Sequence, residues 1–185
     1  GPQGAGALVC RGNIHLSEPL IRGGGQERGR RAGTENVAAI AGFGAAAEAA
    51  GKTRHAEGKR MMKLRDSFEA GLRAATANVV IFGANASRLP NTTLFTVPGL
   101  KAETAVISFD LNGIAVSSGS ACSSGKVQAS HVLAAMGMEP ALSRGAVRVS
   151  RGWETTEDDI ERLLVAWNKV ASSLLKNRAK QGIAA

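Results

Sequence analysis

The chain has 185 residues, 44% hydrophobic and 21% charged, with a formal charge of +8. This is a globular composition, long enough to bury a core and too apolar for a disordered chain. No run of about 18 apolar residues suggests a membrane span, and two cysteines cannot build a disulfide scaffold or an all-thiolate zinc site. The positive surplus favours anionic partners, yet five Phe, two Trp and no Tyr offer few platforms for stacking nucleic-acid bases.

In chain order, residues 6–11 (Gly-Ala-Leu-Val-Cys-Arg) read as a short buried strand, with Cys10 as a core thiol. A glycine-rich basic loop follows over 22–33. Residues 35–50 are alanine-rich, with Val37, Ile40, Ala41, Gly44 and Ala47 spaced for a buried helix face and Thr34 at the N-cap. Met61, Leu64, Phe68, Leu72 and Ala75 mark a further helix. Strands are predicted at 79–82 and 92–97, then a helix over 101–111 with Ala105, Val106 and Phe109 inward. A strand at 114–116 opens into a Ser/Gly loop over 117–125. A helix spans 129–136 and a strand 147–150. The last helix is capped by Thr155 or Thr156, has an acidic first turn, and carries a stripe of Ile160, Leu163, Leu164, Trp167, Val170, Leu174 and Leu175. Strands and helices alternating beyond residue 54 predict a small α+β domain, a short sheet covered by helices. The first 50 residues do not close a domain and look like the end of one.

Chemistry could sit in three places. The first is Arg22-Gly-Gly-Gly-Gln-Glu-Arg-Gly-Arg-Arg-Ala-Gly-Thr-Glu-Asn36, where arginines and a helix start suit an anion. A solvated loop and an RGG-type RNA contact are the alternatives. The second is Ser117-Ser-Gly-Ser-Ala-Cys-Ser-Ser-Gly-Lys126, which sets Cys122 among small polar neighbours where a thiol is reachable and Lys126 favours its thiolate. An incidental surface cysteine is the alternative. His131 is a conceivable base for it, or simply a surface residue. The third is Arg148, which alternates with Val147 and Val149 and so points away from the core. There it could hold a carboxylate or merely meet water, and Arg151 must point the other way.

In this order the motifs resemble the C-terminal half of the NifS/IscS-type cysteine desulfurases, pyridoxal-phosphate enzymes of the class V aminotransferase group. The resemblance starts at Gly-Pro-Gln-Gly-Ala-Gly-Ala-Leu (1–8), which marks Gly1-Pro2 as family sequence rather than a tag scar. It runs through Gly23 to Asn36 and Ser117 to Cys122, and on through Val147-Arg-Val-Ser-Arg-Gly152 into the terminal helix. It implies an α/β protein, the C-terminal part of a fold-type-I enzyme. Residues 1–53 would end the large cofactor domain, and 54–185 would form a small domain with a short antiparallel sheet.

The resemblance further implies that Cys122 takes the sulfur of L-cysteine as a persulfide, leaving L-alanine. Thr34 would donate to the phosphate of pyridoxal phosphate across a homodimer, and Arg148 would hold the substrate carboxylate. An iron–sulfur scaffold or other acceptor protein would collect the sulfur, in the cytoplasm. Two positions depart from the family pattern: Gln26 stands where some members carry histidine, and Arg151 replaces a common leucine as a surface change. The cofactor-binding lysine and its ring partners would precede Gly1, because the first lysine of the chain is Lys52. A selenocysteine lyase or other class V enzyme, and a non-catalytic basic module binding nucleic acid or an acidic protein, are the competing readings.

Overall fold

The computed structural model describes residues 1–12, 14, 18–119 and 130–181, with side chains through residue 174. The chain divides into two compact units, Gly1–His55 and Ala56–Ala185. Five α-helices and four strands are formed among the described residues: α1 (Val37–Ala75), β1 (Val80–Ile81), β2 (Thr92–Thr96), α2 (Ala102–Leu111), β3 (Ser117–Ser118), α3 (His131–Ala135), α4 (Pro140–Ser143), β4 (Val147–Ser150) and α5 (Glu157–Gln181). A 3-10 turn at Gln26–Gly29 lies inside the basic loop.

In the first unit, α1 starts where Asn36 can accept from the Ala39 N–H with Oδ1 (3.2 Å) while its carbonyl takes the Ile40 N–H (2.9 Å). Asn36, rather than Thr34, is therefore the N-cap. Thr34 lies two residues earlier in non-helical chain. Residues 6–11 form no strand, and Leu8, Val9 and Cys10 are exposed, which corrects the core assignment of Cys10. A strand needs a neighbour to take its backbone groups, and no described segment pairs with this one.

In the second unit the sheet order is β1-β2-β4-β3 with every pair antiparallel. One face holds the main core. α1 contributes Met61, Leu64, Phe68 and Leu72, β2 Phe95, α2 Ala105 and Phe109, β4 Val147 and Val149, and α5 Ile160, Leu163, Trp167 and Val170. Phe95 meets Phe68 and Trp167 edge-on, with ring centroids 5.9 and 5.1 Å apart, and Phe109 stacks on Trp167 at 6.2 Å. Each such buried side chain stabilises the fold by about 2–3 kcal/mol. Trp167 is fully enclosed, and its indole N–H is satisfied by Thr76 Oγ1 at 2.9 Å. The other face carries a smaller cluster of Phe82, Leu133 and Ala146, flanked by Val80, Leu94, Met138 and Leu142.

α5 follows its sequence pattern closely. Thr156 Oγ1 accepts from the Asp159 N–H, and the Asp159 carboxylate accepts from the Thr156 N–H and hydroxyl. Of its stripe, Ile160, Leu163, Trp167 and Val170 are buried and Leu164 and Leu174 half-buried; the side chain of Leu175 lies outside the described ones. The two helices predicted over 35–50 and 61–75 are one. Glu48–Lys52 and Glu57–Arg60 pairs carry the helix through the polar stretch. The strand expected at 114–116 forms instead at Ser117–Ser118, and α4 was not anticipated.

Candidate functional site

The basic loop of the first unit is closed on itself by the Ala32 N–H bonding to the Ile21 carbonyl (3.0 Å). Within it Glu27 (φ 53°) and Arg28 (φ 58°) occupy the left-handed region, where a side chain is disfavoured by about 1 kcal/mol or more. Thr34 is exposed, and its hydroxyl has no partner among the described residues. It lines a hollow of about 300 Å³ with Gly4–Ala7, Arg31, Ile40 and Phe43. Glu27 and Glu35 also line it, so its donors share the hollow with two carboxylates.

The second unit places Arg148 in β4 between two neighbours, Leu94 of β2 and Ser117 of β3. Val147 and Val149 face the main core, so Arg148 projects from the opposite face, as the alternation requires. It is half-buried, and its Nε is enclosed with no hydrogen-bond partner among the described residues. Cys122 and Lys126 lie outside the described residues, as does any relation between Cys122 and His131. On the near side, the Gly119 N–H bonds to the Ala146 carbonyl (2.8 Å), and a Cβ on Gly119 would sit 2.9 Å from that of Ala146. On the far side, Ser130 caps α3 by accepting from the Leu133 N–H (3.4 Å); His131, the first residue of α3, is exposed.

Arg151 does point opposite to Arg148, but it is no surface change: it is only 4% exposed. Its guanidinium lies over the Phe68 ring (5.2 Å to the centroid) and donates from Nη2 to Thr93 Oγ1 (2.8 Å). Thr93 in turn donates to Glu69 Oε1 (2.9 Å), and Arg88 grips both Glu69 oxygens at 2.9 Å. Burial pushes Arg151 down to about 10, partly opposed by the charge of Glu69. Burial alone would raise the Glu69 carboxyl, but the bonds from Arg88 and Thr93 and the charges of Arg88 and Arg65 outweigh it and hold the pKa below its ordinary value. This network, and the seat of Ser117 beside Arg148, escape sequence reasoning because cross-strand register is not visible in either segment.

Three comparisons bear on this arrangement. Residues 1–163 match the family model described as Aminotransferase class-V. A cysteine desulfurase of Gluconacetobacter diazotrophicus is 45% identical over 88% of this chain and 40% of its own length. The cysteine desulfurase NifS of Azotobacter vinelandii is 42% identical over 88% and 40%. Among solved structures, the NifS-like protein of Rickettsia africae aligns with a TM-score of 0.75 at 38% identity, covering 86% of this chain and 41% of that one. The chain spans about two-fifths of the length of the curated relatives it matches.

Proposed function

From the premise that this chain belongs to the class V aminotransferase family, we propose that it is part of a cysteine desulfurase that forms L-alanine from L-cysteine. The sequence likeness to relatives named cysteine desulfurase carries this reading. It runs over 163 residues at 45% and 42% identity, and the family match includes positions 34, 122 and 148.

Each residue has a task that its chemistry allows. Arg148, held by two strands, binds the substrate α-carboxylate through its outer guanidinium nitrogens. Cys122 attacks the substrate sulfur as a thiolate. The new S–S bond forms as the Cβ–S bond breaks, and the electron pair stays on Cβ, which is protonated to the methyl group of alanine. Sulfur is left on Cys122 as a persulfide for an acceptor protein. Pyridoxal phosphate, when bound, supplies the electron sink for this bond cleavage. The Thr34 hydroxyl, without a partner among the described residues, and Arg31 in the same hollow are the donors that would meet the phosphate end of that group, beside the carboxylates of Glu27 and Glu35. No lysine precedes Lys52, so residues 1–51 offer no lysine amine for its aldehyde. In this reading the protein is a cytoplasmic homodimer, with Thr34 serving the partner's site and an iron–sulfur scaffold receiving the sulfur.

The test is turnover by the full-length protein, with alanine and transferred sulfur assayed separately. Cys122→Ala should abolish sulfur transfer, and Arg148→Ala should lower kcat/KM by about 2 kcal/mol or more. The 185-residue chain alone, mixed with pyridoxal phosphate and cysteine, should not exceed free cofactor. Wild-type full-length protein that forms no alanine from cysteine would defeat the reading, and a strong preference for selenocysteine would redirect it to a selenocysteine lyase.

A further inference from the structure

Arg148 has one donor that the proposed carboxylate cannot use. A bound carboxylate is gripped by two parallel N–H groups on an accessible edge of the guanidinium. The Nε of Arg148 is enclosed by protein and has no hydrogen-bond partner among the described residues. A buried donor on a cation left unpaired is costly, so a protein oxygen within reach is the expected counterpart.

The register of the sheet limits where that oxygen can come from. On the β2 side the residue opposite Arg148 is Leu94, whose side chain has no acceptor and whose carbonyl takes the Phe82 N–H. Thr92, diagonal to it, donates its hydroxyl to Asn91 Oδ1 (3.2 Å), which turns it toward that neighbour, and Ser150, two positions along β4, is exposed. On the β3 side the residue opposite is Ser117. Its side chain shares the Arg148 face, is half-buried, and has no hydrogen-bond partner among the described residues. Two polar groups without partners among the described residues thus lie on neighbouring positions of one sheet face, one a donor and one able to accept.

We infer that Ser117 is a positioning residue for Arg148: its hydroxyl accepts from Nε and holds the guanidinium so that both terminal nitrogens face an amino-acid carboxylate. The inference rests on the proposed carboxylate role of Arg148 and goes beyond it.

The experiment compares Ser117→Thr with Ser117→Val in the full-length, cofactor-loaded protein. The two side chains share a shape and differ in the hydroxyl. Calorimetric titration with L-alanine reads carboxylate binding without turnover, and cysteine kinetics read KM and kcat separately. Ser117→Val should weaken alanine binding and raise KM about tenfold, with kcat changed less than about twofold. Ser117→Thr should stay within about threefold of the parent on both measures. Repeated in an Arg148→Lys background, which lacks the Nε–H, the Thr and Val variants should bind alanine equally. Equal binding by the Thr and Val variants of the parent would overturn the inference, and so would an undiminished difference in the Arg148→Lys background. Failure of the proposed activity reads differently: no alanine is formed from cysteine by the wild-type protein, whatever stands at position 117.

Discussion

Glu69 keeps its charge inside the second unit because Arg88 meets it with two bonds and Thr93 with a third. Its folded pKa lies below the ordinary 4.5. The stabilisation is therefore complete above pH 4.5 and is lost as pH falls through the lower, folded value. Glu69→Gln cannot accept both Arg88 bonds, and should cost about 2–3 kcal/mol at pH 7. Its unfolding temperature should also fall less steeply than the parent's between pH 6 and pH 3, a difference that parallel melting curves would disprove. Arg151 should behave oppositely. Two of its nitrogens are buried without partners among the described residues, so Arg151→Leu, which fills the space with carbon, should be neutral or stabilising by about 1 kcal/mol in denaturant titrations. Neither role is legible in the sequence. Alternation gives the direction of Arg151, but only the approach of Phe68 and Thr93, 83 and 58 residues earlier, makes that direction buried.

The helices were legible to the extent that their own side chains decide them. α5 carries its cap, its acidic first turn and its apolar stripe within one segment, so its limits and buried face could be read directly. The sequence spacing marks two helices, over 35–50 and 61–75, yet the stretch between them is helical and largely exposed rather than a break. β3 was misplaced by three residues for a different reason. Apolar Ile114 and Val116 pack against the core without pairing, whereas Ser117 and Ser118 pair because β4 lies opposite. Close approach between elements is equally hidden until folding. A Cβ on Gly145 would lie 2.6 Å from both the Leu100 carbonyl oxygen and Thr96 Oγ1, whereas the nearest atoms to one on Gly71 all belong to the Leu164 side chain. Backbone cannot step aside as a leucine rotamer can. Gly145→Ala should therefore cost about 2–3 kcal/mol and Gly71→Ala clearly less, as shifts in denaturant midpoint would show. Thr156→Ala removes the α5 cap and should cost about 1 kcal/mol.

At the scale of the chain, the two units differ in how far their own residues satisfy them. The second unit encloses Phe68, Phe95, Phe109 and Trp167 in one core and pairs each strand with a neighbour. The first unit leaves Leu8 76%, Val9 91% and Leu20 99% exposed, and residues 6–11 have no ladder partner among the described residues. The apolar run of residues 6–11 reads as a buried strand, but no described segment covers or pairs with it. Backbone amides whose bonds lie in a packed core open only with large-scale unfolding, whereas unpaired exposed amides exchange without it. Hydrogen exchange on the 185-residue chain should therefore show Phe95 and Val149 protected by several orders of magnitude and Leu8 to Cys10 exchanging at nearly the unprotected rate. Self-association through the exposed apolar residues is expected as concentration rises, and substituting Leu8, Val9 and Leu20 with serine should reduce it in sedimentation measurements while leaving protection at Phe95 unchanged. Strong protection of residues 8–10 in dilute, monomeric chain would mean that the first unit finds a partner within the chain after all, and would remove the basis for this contrast.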